Sequence, residues 1–574
     1  MVDVHLDLRE PHTHRLAVRL RLKPRVVTLR VRLPAWTPGS YLIRDYVRQL
    51  ESLQVWQAGQ QLPVRRLGIA TWQVPIRPGV EVEVRYAVMA TELTVRTAHL
   101  DQDHGFLPLA AIVLEVEGER WSPHALSIDL PEGWQAFLPL NRQADGRFLA
   151  PDFDALIDAP LEAGPHREQL FSVGEVPHRW VTWAGAGDGQ AWLNERFPDL
   201  LKDVGAVAQA CCRLMGMQRP ASSDYLFVLH LLEEGYGGLE HDNASVLVYG
   251  RSALESPDGY RRFLQLVAHE YFHQWNVRRL RPRELAPIDY HRPQVVPGLW
   301  FAEGVTSYVD QLLPIAAGLF EPDTLWKDLG EDLSRFRLTP GRRVQSLRDS
   351  SMEAWVKLYR ADAYAPDNQI SYYLKGAVLA LVLDLHLRRH DQSLASVLRD
   401  LWQRLGRWGR GYGDDDLIAA FRAAAPDLET LLPTWLSGLE DPDLDGYLAD
   451  VGLRLQPEPG TEPWLGLAVR AEGTSLLAQR VHRGGPAETA GLMVGDELLG
   501  LEDRRLLKPE QLGLASRVGK EQRLLIARRG EIRQLSLRPE APQPKRWLLI
   551  EDPEASAAVL RRRSQWLAFE PPQT

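Results

Sequence analysis

Cysteine is almost missing from this chain: two residues in 574, side by side at Cys211 and Cys212. Sequence neighbours cannot staple distant loops, so a disulfide framework is excluded and a reducing compartment is expected. The residues before them, Gly205-Ala206-Val207-Ala208-Gln209-Ala210, read as helix, and the thiols as small buried helix positions. Long apolar runs are missing too. The most apolar stretch, residues 376–383, stops at Asp384, short of the ~20 residues a membrane-spanning helix needs, so no membrane partner is expected. Residues 1–7 have neither the basic head nor the apolar core of a signal peptide, and a cytoplasmic location is expected. Basic blocks are scarce, with 67 Lys and Arg against 76 Asp and Glu and a net charge of −9, which argues against nucleic acid. Arg561-Arg562-Arg563 is read as a solvated helix face. The chain shows neither an internal repeat nor a low-complexity tract, and this weighs against a pure scaffold.

What the chain has is Val267-Ala268-His269-Glu270-Tyr271-Phe272-His273, a His-Glu-x-x-His motif inside an apolar helical pattern. On a helix, His269 and His273 fall one turn apart on one face, so both imidazoles can reach a single ion. Glu270 lies beside them, placed to act as general base on a water activated by that ion. With 16 His in the chain, composition alone would produce this motif in roughly 3 of 100 such sequences, so chance is an unlikely source. A second pair with the same spacing, in His386-Leu387-Arg388-Arg389-His390, has two arginines between the histidines and no Glu; it is read as a solvated helix face.

A catalytic zinc usually takes three protein ligands and keeps one open position. The best third ligand is Glu303, in Trp300-Phe301-Ala302-Glu303-Gly304, an apolar helical stretch where a carboxylate is costly to bury without a partner. A Glu on the polar face of a surface helix is the plain alternative.

These segments, with Gly237-Gly238-Leu239-Glu240-His241, Tyr373-Leu374-Lys375-Gly376 and Leu33-Pro34-Ala35-Trp36-Thr37-Pro38-Gly39-Ser40-Tyr41, occur in the order found in the gluzincin aminopeptidases. Within them the chain resembles the glycyl aminopeptidase family that carries a C-terminal PDZ domain. The resemblance implies one zinc ion held by His269, His273 and Glu303, with Glu270 as base. It implies that Gly237, Gly238 and Glu240 align the substrate, Glu240 holding its free α-ammonium, and that Tyr373 donates to the developing oxyanion, with Tyr372 as the competing residue. The expected substrates are peptides with a free N-terminus, glycine preferred and alanine second. Two departures stand out: Ser307 occupies the position where thermolysin-like sites place the Asp that supports the first His, which leaves the partner of His269 unassigned. His241 stands where many relatives have Asn and is kept out of the metal set.

Alternation of apolar and polar residues, as in 16–22 and 80–86, marks residues 1–165 as an all-β domain. Residues 166–456 read as a thermolysin-like α+β catalytic domain, with strands at 225–232 and 245–249 around the glycine pair and helices at 198–214, 260–276, 301–313 and 372–389. Asp414-Asp415-Asp416 reads as a helix start rather than a calcium loop, because the acids do not alternate. Pro457-Glu458-Pro459-Gly460 reads as a linker. Residues 460–540 resemble a PDZ domain, which would bind a peptide C-terminus, and 541–574 form an extension. A zinc aminopeptidase is the leading reading; a zinc endopeptidase and a catalytically silent PDZ scaffold are the alternatives.

Overall fold

The alternation in the first 165 residues becomes pleated strands with one face buried. In Arg15–Leu22, for example, Leu16, Val18, Leu20 and Leu22 point inward while Arg15 and Arg21 meet solvent. The computed structural model describes residues 1–185 and 189–569. Arg15–Leu22 lies between Val2–Asp7 and Val82–Met89 in an eight-stranded sheet, with Leu20 opposite Val84 and Val18 opposite Tyr86. A four-stranded sheet containing Thr28–Arg32 and a five-stranded sheet containing Gly105–Pro108 and Pro160–Gly164 complete this all-β region.

The next sheet positions the chemistry. Its order is Gln169–Val173, Val176–Trp183, Tyr225–Leu232, Ala244–Gly250 and, at the edge, Tyr236–Glu240. The three inner strands are parallel and nearly all buried, as expected where both faces are covered. The edge strand runs antiparallel, pairing Gly238 with Leu247. Helices Leu200–Leu214 and Gly259–Phe272 pack together, and the former buries both free thiols, as the sequence predicts. No helix among the described residues is long and apolar enough to cross a membrane.

Contacts divide the chain into two units, one of residues 1–296, 309–320 and 395–417, the other of 297–308, 321–394 and 418–574. Within the second, Tyr372–Arg389 is buried on nearly every side, and short helices such as Leu444–Ala449 surround it. Here two readings are corrected. His386 is buried, bonded through Nδ1 to the Tyr447 hydroxyl (2.9 Å) and through Nε2 to Asp427 (3.1 Å), so the solvated face holds only for Arg389 and His390. Arg563, in the helix Ala557–Leu567, is also buried and donates to the carbonyls of Val451 and Gly452. Each reading failed at one residue, because a polar side chain can be buried once its donors meet fixed acceptors.

The predicted linker starts late: 457–458 lie in the strand Leu453–Glu458, which pairs with Arg546–Glu551 from the C-terminal extension. Between those strands, a six-stranded sheet with the helix Pro509–Ala515 encloses its own core of Leu476, Leu498, Leu524, Ile526 and Leu537.

Candidate active site

The helix Gly259–Phe272 is held by its apolar face, where Phe263, Leu264, Val267, Ala268 and Tyr271 are buried. His178 Nε2 meets the Tyr271 hydroxyl at 2.9 Å and fixes its last turn. His269 lies in that turn and His273 at its C-cap, so helical spacing carries through to both. Their rings are 4.7 Å apart at 86° to each other. His269 directs Nδ1 to the Asp310 carboxylate (2.8 Å), and His273 directs Nδ1 to the backbone carbonyl of Asn276 (2.6 Å). Each oxygen holds the proton on Nδ1, which makes Nε2 the lone-pair nitrogen of both rings. Imidazoles prepared as metal ligands have this arrangement.

Asp310 is the support that the sequence left unassigned. It lies seven residues after Glu303, two turns on, whereas the thermolysin-like spacing points one turn on, to Ser307. The reason is local. Glu303 falls in a π-helical segment, Trp300–Gly304, which runs directly into the α-helix Val305–Ala316 that carries Asp310. Such widened turns alter the register of the side chains that follow and recur at functional sites.

In the second unit, Glu303 is buried, and Gly304 crosses Gly376 of the helix Tyr372–Arg389. A Cβ on Gly304 would come within 2.5 Å of the Gly376 Cα, and one on Gly376 within 2.9 Å of the Gly304 Cα. Two separated motifs are thus one packing contact. It brings the glutamate-bearing segment against the helix whose first turn carries Tyr373. Tyr372 is buried and Tyr373 half-buried, their rings stacked 4.7 Å apart, with the Tyr359 hydroxyl 3.3 Å from that of Tyr373. Lys375 Nζ is spent on the carbonyls of Arg342 and Gln345, and burial lowers its pKa to about 8.

In the first unit, the edge strand Tyr236–Glu240 runs beside the His-Glu-x-x-His helix. A Cβ on Gly238 would fall onto the Glu270 carboxylate, so only glycine lets strand and base approach this closely; around Gly237 the space is open. Glu240 is buried, and ligand atoms of Glu240, Glu270 and His273 lie within 4.8 Å of one another. Glu240 Oε1 has no hydrogen-bond partner among the described residues. On its other side is Gly39, at φ +81°, where any side chain would collide with the same carboxylate. The opening signature of the β domain therefore lines this site.

Around it, Asp158 meets Arg278 (2.6 Å) and His241 (3.3 Å), while Arg278 also holds Asp242 (2.8 Å). Burial works to raise the Asp158 pKa, but Arg278 and His241 hold it well below the usual carboxylate range. His241 thus has a structural partner, and Arg278 and Arg279 fasten the chain just after the edge strand through Asp242.

Known proteins support the same chemistry. Residues 3–165 match the peptidase M61 N-terminal domain, and residues 262–379 match the M61 glycyl aminopeptidase. Among solved structures, an aminopeptidase N family protein from Idiomarina loihiensis is 28% identical, covering 99% of this chain and 100% of its own, with a TM-score of 0.89. The chain is a metallo-aminopeptidase. The M1 zinc metallopeptidase from Deinococcus radiodurans is a more distant likeness, 15% identical over 77% of this chain and 94% of its own, at a TM-score of 0.49. Yeast LTA4 hydrolase in complex with bestatin is 15% identical over 77% of this chain and 68% of its own, at 0.46. No curated protein matches the chain.

Zinc is the metal that this metallo-aminopeptidase implies, and its donors fit: two imidazoles fixed at Nδ1 by oxygens, with a buried carboxylate on the helix of Asp310. Sequence reasoning gave no role to Asp310 or Arg278, and quoted Gly39 only as part of the opening signature.

Proposed function

We propose that the enzyme removes N-terminal residues, glycine first and alanine second, from peptides with a free amino terminus, using one catalytic zinc held by His269, His273 and Glu303. Zinc, when bound, supplies an activated water and polarises the scissile carbonyl. Glu270 takes the proton from the water and returns it to the leaving amine. The Tyr373 hydroxyl donates to the oxyanion without needing to titrate near neutral pH. Gly237 and Gly238, on an open sheet edge, align the substrate backbone as an added strand.

The observation that carries the aminopeptidase reading is the buried Glu240 carboxylate. Its Oε1 has no hydrogen-bond partner among the described residues, and it lies close to Glu270, with Gly39 pressed against it. A second buried carboxylate beside the base is costly without cations near it; the Arg278 charge is one, and a substrate α-ammonium at Oε1 is the second. Anchoring the terminus there counts one residue to the scissile bond.

The C-terminal sheet suits a PDZ-like role for a peptide carboxyl terminus: Leu467–Glu472 is an edge strand with Pro509–Ala515 beside it, and Leu465-Gly466 precedes it.

The test compares a glycyl peptide with its N-acetylated twin, with and without a zinc chelator, in wild type and Glu240→Gln. Chelator-sensitive cleavage of the free peptide alone is expected, with kcat/KM falling about 100-fold in the variant, the loss of one charge-assisted anchor of about 2–3 kcal/mol. Equal cleavage of both peptides would replace this reading with an endopeptidase.

A further inference from the structure

A second concentration of histidine is built from other residues, in the β region and the sheet that follows it. Glu162, fully buried in the strand Pro160–Gly164, accepts from three imidazoles: His104 Nδ1 (2.9 Å) and His166 Nε2 (2.8 Å) on Oε1, and His230 Nε2 (2.8 Å) on Oε2. Trp183 stacks on His104 with ring centres 4.0 Å apart. This fixes the His104 proton on Nδ1 and makes Nε2 its lone-pair nitrogen. That Nε2 is buried and meets no hydrogen-bond partner among the described residues; the same holds for His99 Nδ1 and His230 Nδ1. Satisfied buried networks rarely leave such atoms, so each calls for an explanation.

His104 belongs to a hairpin turn between Thr97–Leu100 and Gly105–Pro108, with the sequence His99-Leu100-Asp101-Gln102-Asp103-His104. Asp101 Oδ1 accepts the backbone N–H groups of Asp103 (2.8 Å) and His104 (3.0 Å), which pins the turn. Its Oδ2 faces His99 Nε2 at 3.0 Å, and ligand atoms of His99, Asp101 and His104 all lie within 4.8 Å of one another.

We infer that His99, Asp101 and His104 form a second metal site, taking a divalent first-row transition ion such as zinc, with water completing its coordination. Two imidazoles and a carboxylate suit zinc, iron, nickel or copper, whereas calcium and magnesium ask for oxygen throughout. Ligands about 2.1 Å from a tetrahedral ion sit roughly 3.4 Å apart, so the His99–Asp101 pair needs little movement to receive one. Glu162 stands to His104 as Asp310 stands to His269, an oxygen behind the ring that fixes the tautomer. The partial exposure of His99 and Asp101 gives the ion its entry and the water its place. The neighbouring group of His104, Glu162 and His166 is less suited, because both Glu162 oxygens already accept imidazole protons.

The test counts metal in the full-length protein, stripped by chelator, reloaded with Zn²⁺ and dialysed. Wild type should hold two equivalents, His99→Gln and Asp101→Asn one each with peptidase activity within twofold of wild type, His269→Gln one, and the double variant His99→Gln/His269→Gln none. Loading with Co²⁺ gives a second readout, since the visible absorption left in His269→Gln should vanish when His99→Gln is added. One equivalent in wild type overturns the inference whatever the variants do, and so does a second equivalent that survives both His99→Gln and Asp101→Asn.

Discussion

Two pairs of histidines in this molecule share one spacing and have opposite fates. His269 and His273 sit nearly perpendicular, each with an oxygen behind Nδ1. His386 and His390 are also one turn apart, at 5.1 Å and 34°, yet both nitrogens of His386 are already used, one by Tyr447 and one by Asp427. Asp427 also lies 3.4 Å from His390, so the carboxylate bridges the two rings directly. One turn of helix places two imidazoles together; under the proposed function, what stands behind them decides between ligand and structural polar contact.

The largest expected difference tests the ligands themselves. His269→Gln or His273→Gln should lose the catalytic metal and at least ~10³-fold in kcat/KM, because an open zinc site has no spare ligand. Metal content and turnover of a glycyl peptide check this. Should either variant retain metal and rate, the first pair would be no more a ligand set than the second.

A smaller effect tests the support. Asp310→Asn keeps the shape behind His269 but removes the charge, and metal affinity should fall by about 10- to 100-fold, as for other partners of ligand histidines. Competition with a chelator of known affinity measures it. An unchanged affinity would mean that the negative charge behind His269 contributes nothing beyond an acceptor for Nδ1–H, and the contrast between the pairs would rest on His386 alone.

The sequence made the first pair readable because its signal is local: an apolar face, a Glu after the first His, and helical spacing that the helix Gly259–Phe272 preserves. The edge-strand glycines were readable as motif, although their reason, the Glu270 carboxylate beside Gly238, is a tertiary fact. Asp310 was passed over because the π turn at Glu303 shifts the register of the helix after it, and nothing in Trp300-Phe301-Ala302-Glu303-Gly304 announces that turn. The second pair was misread for a related reason. Arg388-Arg389 looks like a solvated face, yet Arg388 is buried against Asp384 one turn earlier, and Arg389 lies over the Tyr447 ring at 4.1 Å. Charge in a sequence marks exposure only when its partners are not in the fold.

The smallest effect sharpens the comparison from the other side. His386→Phe fills the same space but leaves the buried side of the Tyr447 hydroxyl without its partner, which should cost about 2 kcal/mol of stability. His390→Gln, at a position open to solvent, should cost under about 0.5 kcal/mol. Denaturant midpoints at constant slope measure both, and neither variant should change bound metal or, at temperatures where it is folded, kcat/KM by more than twofold. If His386→Phe instead released a metal equivalent, the Asp427 bridge would be a ligand arrangement after all, and helical spacing alone would have been a better guide than the atoms behind the rings.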